Sequence, residues 1–244
     1  MTDLHTHILP GMDDGAKSVE MSLEMLRMER DQGVDTVVLT PHFYRNRERP
    51  ERFLNRRHAA EEALQDTLMA LPEAERRTMP RLILGAEVAW VPNLPDMPAL
   101  PRMCMGCSNY LLLELPFVPW SDLMFRQLRE LMDKTHLVPV IAHLERYLKD
   151  QKPERIRELL ELDVLVQVST SPLLHPLRRG GALGLLREYH AQLVASDCHD
   201  PADRPPNLGP AVKVLGRKLG EAQWRELIRC GDDLAAEMLL AAGK

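Results

Sequence analysis

The sequence predicts an α/β protein in which seven parallel strands form a closed barrel with helices on its outside. Short apolar runs alternate with helical patterns along the chain. After the first two units these runs begin about every 26 to 29 residues, which is the length of a βα repeat. Seven or eight such units favour a closed barrel over an open sheet, and no eighth strand is evident.

Seven apolar runs rich in β-branched residues are the predicted strands. Most of them are continuous rather than alternating, which is typical of strands that are buried on both faces. Parallel strands in the middle of a sheet have this character because helices cover both sides. The seven runs are residues 2–5, 35–41, 81–88, 110–115, 137–142, 164–169 and 192–196.

Helical patterns separate these runs. Ser18 is a suitable N-cap for the first helix, Val19, Leu23 and Leu26 share one stripe of it, and Gly33 is a suitable end. The further predicted helices lie around residues 64–71 and 124–131, at 153–162, at 181–190 and from about 205 onward.

The C-terminal part is predicted to be helical throughout. Pro210 suits the first turn of a helix, and Gly231 is predicted to be a break before a last helix at residues 232–242. The proline-rich residues 92–101 are predicted to form a long βα loop. Because no linker or low-complexity segment is present, residues 1–244 are predicted to form one domain with C-terminal helices at about 205–244.

Composition restricts the classes of function. The 31 Lys and Arg residues against 36 Asp and Glu give a net charge of −5, which disfavours binding to nucleic acid. The first residues are polar, and no apolar run approaches the ~20 residues of a membrane span, so we expect a cytoplasmic protein without a signal peptide or membrane insertion. The four cysteines do not form a disulfide framework, which fits that compartment.

Ligand-type side chains collect at one end of the predicted barrel. Functional sites of such barrels lie at the carboxyl ends of the strands, and six of the seven predicted strands deliver His, Asp or Glu there. A buried carboxylate is costly unless it is paired or bound to metal, and the set exceeds what one ion can use, so two or three ions are predicted. The residues are His5, His7, Asp13, Asp14, His42, Glu87, Glu114, His143, Glu145, Asp197 and His199.

The remaining histidines are predicted to lie away from this end. His136 and His190 precede strands and therefore belong to the opposite end of the barrel, while His58 lies within a helix. His175 follows the sixth strand in a long loop and is not expected to contact the site.

The ordered motifs resemble the polymerase and histidinol phosphatase (PHP) superfamily. They are HxH, DDG, TPH, GAE, LLLELP, IAHLERY and SDCHD followed by DRP, and they extend from Asp3 to Pro206. They are most similar to the bacterial PHP-type protein tyrosine phosphatases associated with capsule and exopolysaccharide regulation. This resemblance implies a distorted seven-stranded barrel and a trinuclear metal site, often with manganese or iron.

The resemblance also implies which residues act. Arg146 and Arg204 match arginines that bind substrate phosphate. Asp3 is then expected to hold an imidazole rather than to bind metal, because the family pattern fills the first ion from elsewhere. The implied ligands are His5, His7, Glu87 and Asp197 for the first ion, Glu87, Glu114 and His143 for the second, and Asp14, His42 and His199 for the third.

The implied reaction is hydrolysis of phosphotyrosine by a hydroxide that bridges the metals. Metal ions activate water and neutralise phosphoryl oxygens, while arginine guanidinium groups match phosphate geometrically. The leaving oxygen receives its proton from Asp197 or from water, which the sequence does not decide. Manganese is the expected ion, with iron, cobalt or zinc as alternatives, and the expected partner is the C-terminal tail of a bacterial tyrosine kinase of capsule or exopolysaccharide synthesis.

Several alternatives stay open at this point. The same cluster suits a small phosphomonoester such as histidinol phosphate, a phosphodiester of an exonuclease, or a metal-stabilised protein that binds a kinase tail without hydrolysis. Cys198 to Arg204 has the C-x5-R spacing of cysteine-dependent phosphatases, but its intervening residues include two carboxylates and no glycine. Cys104 and Cys107 form a CxxC motif, but the sequence offers no further zinc ligands for it. Arg45 and Arg47, in the loop after His42, are candidates for contact with an acidic peptide.

Overall fold

A computed structural model describes residues 1–189 and 191–240 of the chain. Strands and helices alternate along these residues, and all pairings between strands are parallel, as the sequence predicts. The described strands are β1 (Thr2–Thr6), β2 (Thr36–Leu39), β3 (His42–Phe43), β4 (Arg81–Leu84), β5 (Glu87–Ala89), β6 (Tyr110–Glu114), β7 (Val138–Ile141), β8 (Leu165–Ser169) and β9 (Leu193–Ala195).

The helices lie between the strands and at the C-terminal end of the described chain. Ser18 caps the first of them through its side chain, which accepts a hydrogen bond from Met21 N, and Gly33 follows its end with a φ of 82°. The described α-helices are α1 (Val19–Asp31), α2 (Pro50–Met69), α3 (Glu73–Arg76), α4 (Asp122–Thr135), α5 (Pro153–Leu160), α6 (Thr170–Leu174), α7 (Arg179–Glu188), α8 (Leu208–Lys218) and α9 (Glu221–Leu240).

The strands of the described chain form two parallel sheets rather than one closed barrel. One sheet has the order β1-β2-β4 and the other β3-β5-β6-β7-β8-β9. The predicted strand at 35–41 corresponds to β2 and ends at Thr40 and Pro41, after which β3 begins in the other sheet, and the one at 81–88 is divided at Gly85 and Ala86. The closed barrel of seven continuous strands is therefore not confirmed, because the chain changes sheet at both of these places.

Backbone hydrogen bonds join the end of β1 to the residues that follow β9. Thr6 forms an isolated parallel bridge with Cys198. Around it, Asp197 N donates to His5 O and His7 N donates to Cys198 O, both at 2.9 Å. These hydrogen bonds hold the residues after β1 beside those after β9.

An apolar core lies inside the ring of strands and is covered by α9 at the amino ends of the strands. Met238 belongs to this core, and the main chain of Gly231 in α9 lies against β1, where an added Cβ would be 3.9 Å from Thr2 O. Tyr110, at the start of β6, donates through its hydroxyl to Glu237 in α9. The strand residues of this core are Leu4, Val38, Ile83, Leu112, Val140, Leu193 and Ala195.

The C-terminal helices differ from the prediction in one important respect. Gly231 does not break the chain, because α9 continues through it from Glu221 to Leu240. A Cβ added at Gly231 would lie 3.7 Å from Leu4 Cδ1, which is an ordinary packing distance, so the contact of α9 with β1 does not require glycine there. Pro210 lies in the first turn of α8, as predicted, whereas His190 and residues 241–244 lie outside the described residues.

Other predicted segments are located as follows. The predicted loop at 92–101 contains two short 3-10 turns, Leu94–Asp96 and Leu100–Met103. The four cysteines are free thiols, and Cys104 is buried whereas Cys107 is exposed. Within the described ranges, every helix is too short or too polar to cross a lipid bilayer.

The approach of α9 to the loop before β6 generates a prediction about stability. Gly106 has a φ of 59°, and a Cβ added there would lie 2.8 Å from the backbone oxygen of Met238. We expect Gly106→Ala to lower the free energy of unfolding by about 2 kcal/mol or more, because it combines left-handed strain with a backbone clash. Urea denaturation measures this change.

Gly184→Ala is the matched control for that substitution. Gly184 lies inside α7, and no atom lies within 4 Å of the position of its added Cβ. The control should therefore be neutral or stabilising by up to about 1 kcal/mol. Equal effects of the two substitutions would contradict the close packing of α9.

Candidate metal centre

The site begins with a tight loop after β1. Gly11 N donates to Ala16 O at 2.8 Å and Ala16 N donates to His7 O at 2.9 Å, so the loop turns back on the strand. Gly15 is required there because an added Cβ would lie 2.1 Å from His7 O. The turn places Asp13 Oδ2 2.8 Å from His7 Nδ1 and orients that imidazole.

Glu87 is the centre of the cluster. It is buried at the start of β5, directly after the break at Gly85 and Ala86. Imidazole nitrogens of four histidines lie within salt-bridge distance of its carboxylate. The distances are 3.2 Å from His5 Nε2, 3.4 Å from His7 Nε2, 2.8 Å from His42 Nδ1 and 2.9 Å from His143 Nε2.

Ligand-type atoms converge around this carboxylate in three places. His5 Nε2 and His7 Nε2 lie 3.1 Å apart, and each is within 3.6 Å of Asp197 Oδ1. Glu114 Oε1 lies 3.5 Å from His143 Nε2. The groups whose atoms lie close enough together for one ion are His5, His7 and Glu87; His42, Glu87 and Glu114; and His7, Asp14, His42 and His199.

The exposed side of the cluster is formed by Asp14. Its Oδ1 lies 3.6 Å from His42 Nε2 and 3.6 Å from His199 Nε2. Asp14 is exposed, whereas His199 is buried. This group therefore faces solvent, while the one around His5 lies deeper.

The residues fit divalent cations. Among the described residues, the buried atoms His42 Nδ1, Glu87 Oε2 and His199 Nε2 face the cluster without a well-aligned hydrogen bond, although His42 Nδ1 and Glu87 Oε2 lie 2.8 Å apart. Imidazole and carboxylate groups are the ligands that manganese, iron, cobalt and zinc accept. Bound cations would satisfy these atoms and separate the facing nitrogen atoms of His5 and His7.

The pKa values of two histidines show that the cluster, without metal, favours positive charge. Burial opposes protonation of His7, but Asp13 and Glu87 raise its pKa to about 10. Burial also opposes protonation of His143, yet Glu114 and Glu87 raise its pKa to about 9. Metal ions would replace these protons, since bound imidazoles are neutral.

Gln167 and Asp13 hold the ligand side chains from behind. Gln167 Oε1 accepts hydrogen bonds from His143 N at 2.7 Å and from His5 Nδ1 at 3.2 Å. Asp13 Oδ2, besides contacting His7, accepts from His42 N at 2.8 Å. Gln167 was not predicted, although one polar residue inside the buried run of β8 is a signal for it.

The prediction that Asp3 holds an imidazole is wrong. Its Oδ1 accepts from Ser196 N at 3.0 Å, and its carboxyl faces that of Glu29, so the two form a buried acidic pair. Burial raises the pKa of both groups, and the proximity of the two carboxyls adds to the rise for Glu29. The imidazole of His5 is held by Gln167 instead.

Two arginines border the buried cluster. Arg146 and Arg204 both donate to the carboxylate of Asp197, and the distance from Arg204 Nη2 to Oδ1 is 3.0 Å. The guanidinium groups are partly exposed. Burial opposes ionisation of Asp197, but His5 and Arg146 lower its pKa to about 2. The structure therefore brings the predicted arginines and the predicted ligands to one end of the strands.

The surroundings of Cys198 do not suit a nucleophilic thiolate. The thiol is buried, and its Sγ lies 3.8 Å from Glu29 Oε1. Burial and the nearby Glu29 carboxyl raise the pKa of this thiol well above its usual range. A reactive cysteine needs the opposite surroundings, which favour the thiolate.

The other singled-out residues lie outside the cluster. His58 and His175 are exposed, and His136 ends α4 with a φ of 56° at the amino end of β7. Arg45 is exposed, and the guanidinium of Arg47 lies 4.5 Å above the ring of Tyr44.

The double role of Gln167 generates a prediction. Gln167→Leu removes the acceptor of His5 and of the His143 amide, so the imidazoles lose their orientation. We expect metal affinity to fall about 10-fold to 100-fold. Metal content after dialysis against graded metal concentrations measures the change. Gln127→Leu on α4 is the matched control, and undiminished affinity in Gln167→Leu would contradict this role.

Known proteins match the chain over nearly its full length. Tyrosine-protein phosphatase CpsB of Streptococcus agalactiae is 29% identical over 241 residues, which cover 93% of this chain and 94% of the relative. Tyrosine-protein phosphatase YwqE of Bacillus subtilis is 31% identical over 236 residues, which cover 90% of this chain and 85% of the relative.

Comparison of structures and of families gives the same relationship. A structure from work on YwqE of Bacillus subtilis and CpsB of Streptococcus pneumoniae, described as unique metal-dependent tyrosine phosphatases, matches with a TM-score of 0.82 at 26% identity. The match covers 95% of this chain and 93% of that one. The family model for capsular polysaccharide synthesis, CpsB/CapC, matches residues 1–233. The chain therefore belongs to the CpsB/CapC family.

Proposed function

We propose that this protein is a metal-dependent phosphatase that hydrolyses phosphotyrosine on proteins. The observation that carries the proposal is the buried Glu87 among four imidazoles, with two partly exposed arginines at the edge of the same cluster. Related proteins that bear the name tyrosine-protein phosphatase support it. Buried nitrogen and oxygen ligands beside phosphate-binding groups suit phosphoester hydrolysis.

The proposed ligands are the nine residues that the sequence singles out. Divalent ions held by them would lower the pKa of bound water and neutralise charge on the phosphoryl oxygens. The proposed ligand sets are those that the resemblance implies, namely His5, His7, Glu87 and Asp197; Glu87, Glu114 and His143; and Asp14, His42 and His199. Mn²⁺ is the proposed ion, and iron, cobalt or zinc suit the same donors.

The arginines are proposed to bind the substrate phosphate. Arg146 and Arg204 approach Asp197 from the partly exposed side, so their remaining N–H groups are available to phosphoryl oxygens. Their charge-assisted hydrogen bonds strengthen as negative charge develops on those oxygens. Asp197 acts by holding the two guanidinium groups and as a ligand, because its low pKa opposes a role as proton donor.

The family description supports a setting in capsular polysaccharide synthesis. The proposed substrate is the tyrosine-phosphorylated C-terminal tail of a bacterial kinase of capsule or exopolysaccharide synthesis, and the proposed compartment is the cytoplasm. We also propose that residues 1–244 form one domain and that the two sheets act as a distorted seven-stranded barrel. The bridge between Thr6 and Cys198 supports this view, because it joins β1 to the residues after β9.

The test of the function is a comparison of substrates on metal-reconstituted protein. EDTA should abolish hydrolysis of p-nitrophenyl phosphate, and Mn²⁺ should restore it. A phosphotyrosine peptide should have a kcat/KM well above that of histidinol phosphate, since the partly exposed arginines are accessible to a bulky substrate. A preference for histidinol phosphate would favour the small-molecule alternative. Loss of all activity in Cys198→Ser with intact metal content would favour thiol chemistry.

The arginines supply a second prediction. We expect Arg146→Ala and Arg204→Ala each to lower kcat/KM for a phosphotyrosine peptide about 100-fold, because each removes a charge-assisted contact to the phosphoryl oxygens. Metal content should persist, since neither side chain is a proposed ligand. Steady-state kinetics and metal analysis measure both properties. Arg155→Ala, which removes ion pairs with Asp122 and Glu158 away from the cluster, should leave kcat/KM unchanged.

A further inference from the structure

A groove of about 1100 Å³ opens beside the two arginines. It crosses the carboxyl ends of β6, β7, β8 and β9 and continues to the start of α7. Arg146, Arg204 and Asp197 form its inner end. A second pocket of about 520 Å³ lies on the other side of the cluster, next to His42 and Asp14. The larger groove is the one in contact with the proposed phosphate-binding groups.

The groove has an unusual concentration of exposed apolar side chains. Seven large apolar residues of the described chain are exposed, and three of them line this groove. Leu177 is 91% exposed, Phe117 44% and Leu148 37%. Clustered apolar exposure of this kind is characteristic of binding surfaces, whereas isolated exposed residues need no explanation.

Phe117 connects this apolar wall to the metal cluster. Its ring is stacked with that of His143 at 5.9 Å between centroids and 19° between planes, and it lies 5.1 Å from the ring of Tyr147. Tyr147 is buried, and its hydroxyl oxygen accepts a hydrogen bond from Leu115 N at 2.9 Å. The Phe117 ring is therefore held from below while its outer face is accessible to another aromatic ring.

Two exposed cations lie beyond the inner end of the groove. Lys149 and Arg178 are exposed, and neither makes a salt bridge within the described residues. The acidic residues that line the same part of the groove are Glu145 and Asp203, and Glu145 accepts a hydrogen bond from Ser169 N. Both cations are therefore available to pair with carboxylates of a bound molecule.

We propose that this groove binds the peptide around the phosphotyrosine and selects peptides with acidic residues next to it. This inference rests on the proposed function. Phe117 contacts the phenyl ring, Leu148 and Leu177 contact the adjoining peptide, and Lys149 and Arg178 pair with its carboxylates. The protein has a net charge of −5, so an acidic peptide is attracted by the unpaired cations Lys149 and Arg178 and not by the molecule as a whole.

Two peptides of equal length test the proposal on Mn²⁺-loaded protein. One carries aspartates on both sides of phosphotyrosine, and the other carries asparagines there. The wild-type protein should have a kcat/KM about threefold to tenfold higher for the aspartate peptide, through a lower KM, and added salt should reduce the difference. The double variant Lys149→Glu/Arg178→Glu should abolish or reverse this preference.

A control with the same change of charge separates local pairing from net charge. Lys213 and Arg217 are exposed on α8 and do not line the groove. Lys213→Glu/Arg217→Glu should keep the preference for the aspartate peptide. If both double variants lose the preference equally, or if neither does, the proposal is overturned.

The apolar wall needs its own measurement. Leu177→Ser should lower the ratio of kcat/KM for the aspartate peptide to kcat/KM for p-nitrophenyl phosphate. The reason is that the peptide extends to Leu177, whereas p-nitrophenyl phosphate is too short to do so. Leu123→Ser, which changes an exposed leucine outside the groove, should leave the ratio unchanged. An unchanged ratio in Leu177→Ser overturns the apolar contact. Failure of the wild-type protein to hydrolyse either phosphotyrosine peptide would instead refute the proposed function.

Discussion

The arrangement of the strand ends depends on the unfavourable free energy of burying the carboxylate of Glu87. Glu87 is almost completely removed from water, and an isolated ionised carboxylate in such a place is strongly unfavourable. Four imidazoles compensate it, and their own orientation requires Asp13 on one side and Gln167 on the other. These groups come from β1, β3 and β8, from the residues after β7 and from the loop after β1, so the electrostatic demand of one side chain fixes the relative positions of several strand ends.

The breaks in the strands are what place Glu87 at this centre. At Gly85 an added Cβ would lie 3.1 Å from Met105 Cγ, so the main chain passes close to the loop before β6. Pro41 has no N–H, and its carbonyl accepts from Glu87 N at 3.1 Å. The chain thereby leaves one sheet and begins β5 in the other, with Glu87 paired in register with His42. A continuous strand has no such change of sheet.

These facts explain what the sequence could and could not predict. The apolar runs and the His, Asp and Glu residues after them are local signals, so the strand segments and the ligand-type cluster were predictable. The two changes of sheet depend on hydrogen bonds to distant segments, and the acidic pair of Asp3 and Glu29 depends on packing between β1 and α1. The break predicted at Gly231 is wrong because α9 continues through it, and the sequence alone does not distinguish a glycine inside a helix from one at a helix end.

The buried groups of the site are suited to the reaction at phosphate, whereas the exposed groups are suited to selecting the substrate. The buried ligand-type side chains contact one another, and the part of a substrate that would reach them is its phosphate group. Because phosphate is common to many esters, these side chains do not distinguish one ester from another. Selection among esters must therefore come from groups that reach solvent. Arg146 and Arg204 stand at the boundary, because one end of each contacts the buried Asp197 while the rest borders the groove. In such an arrangement the loops beyond the strands can change the preferred substrate without disturbing the cluster, since the ligands are held by the strands and by Gln167.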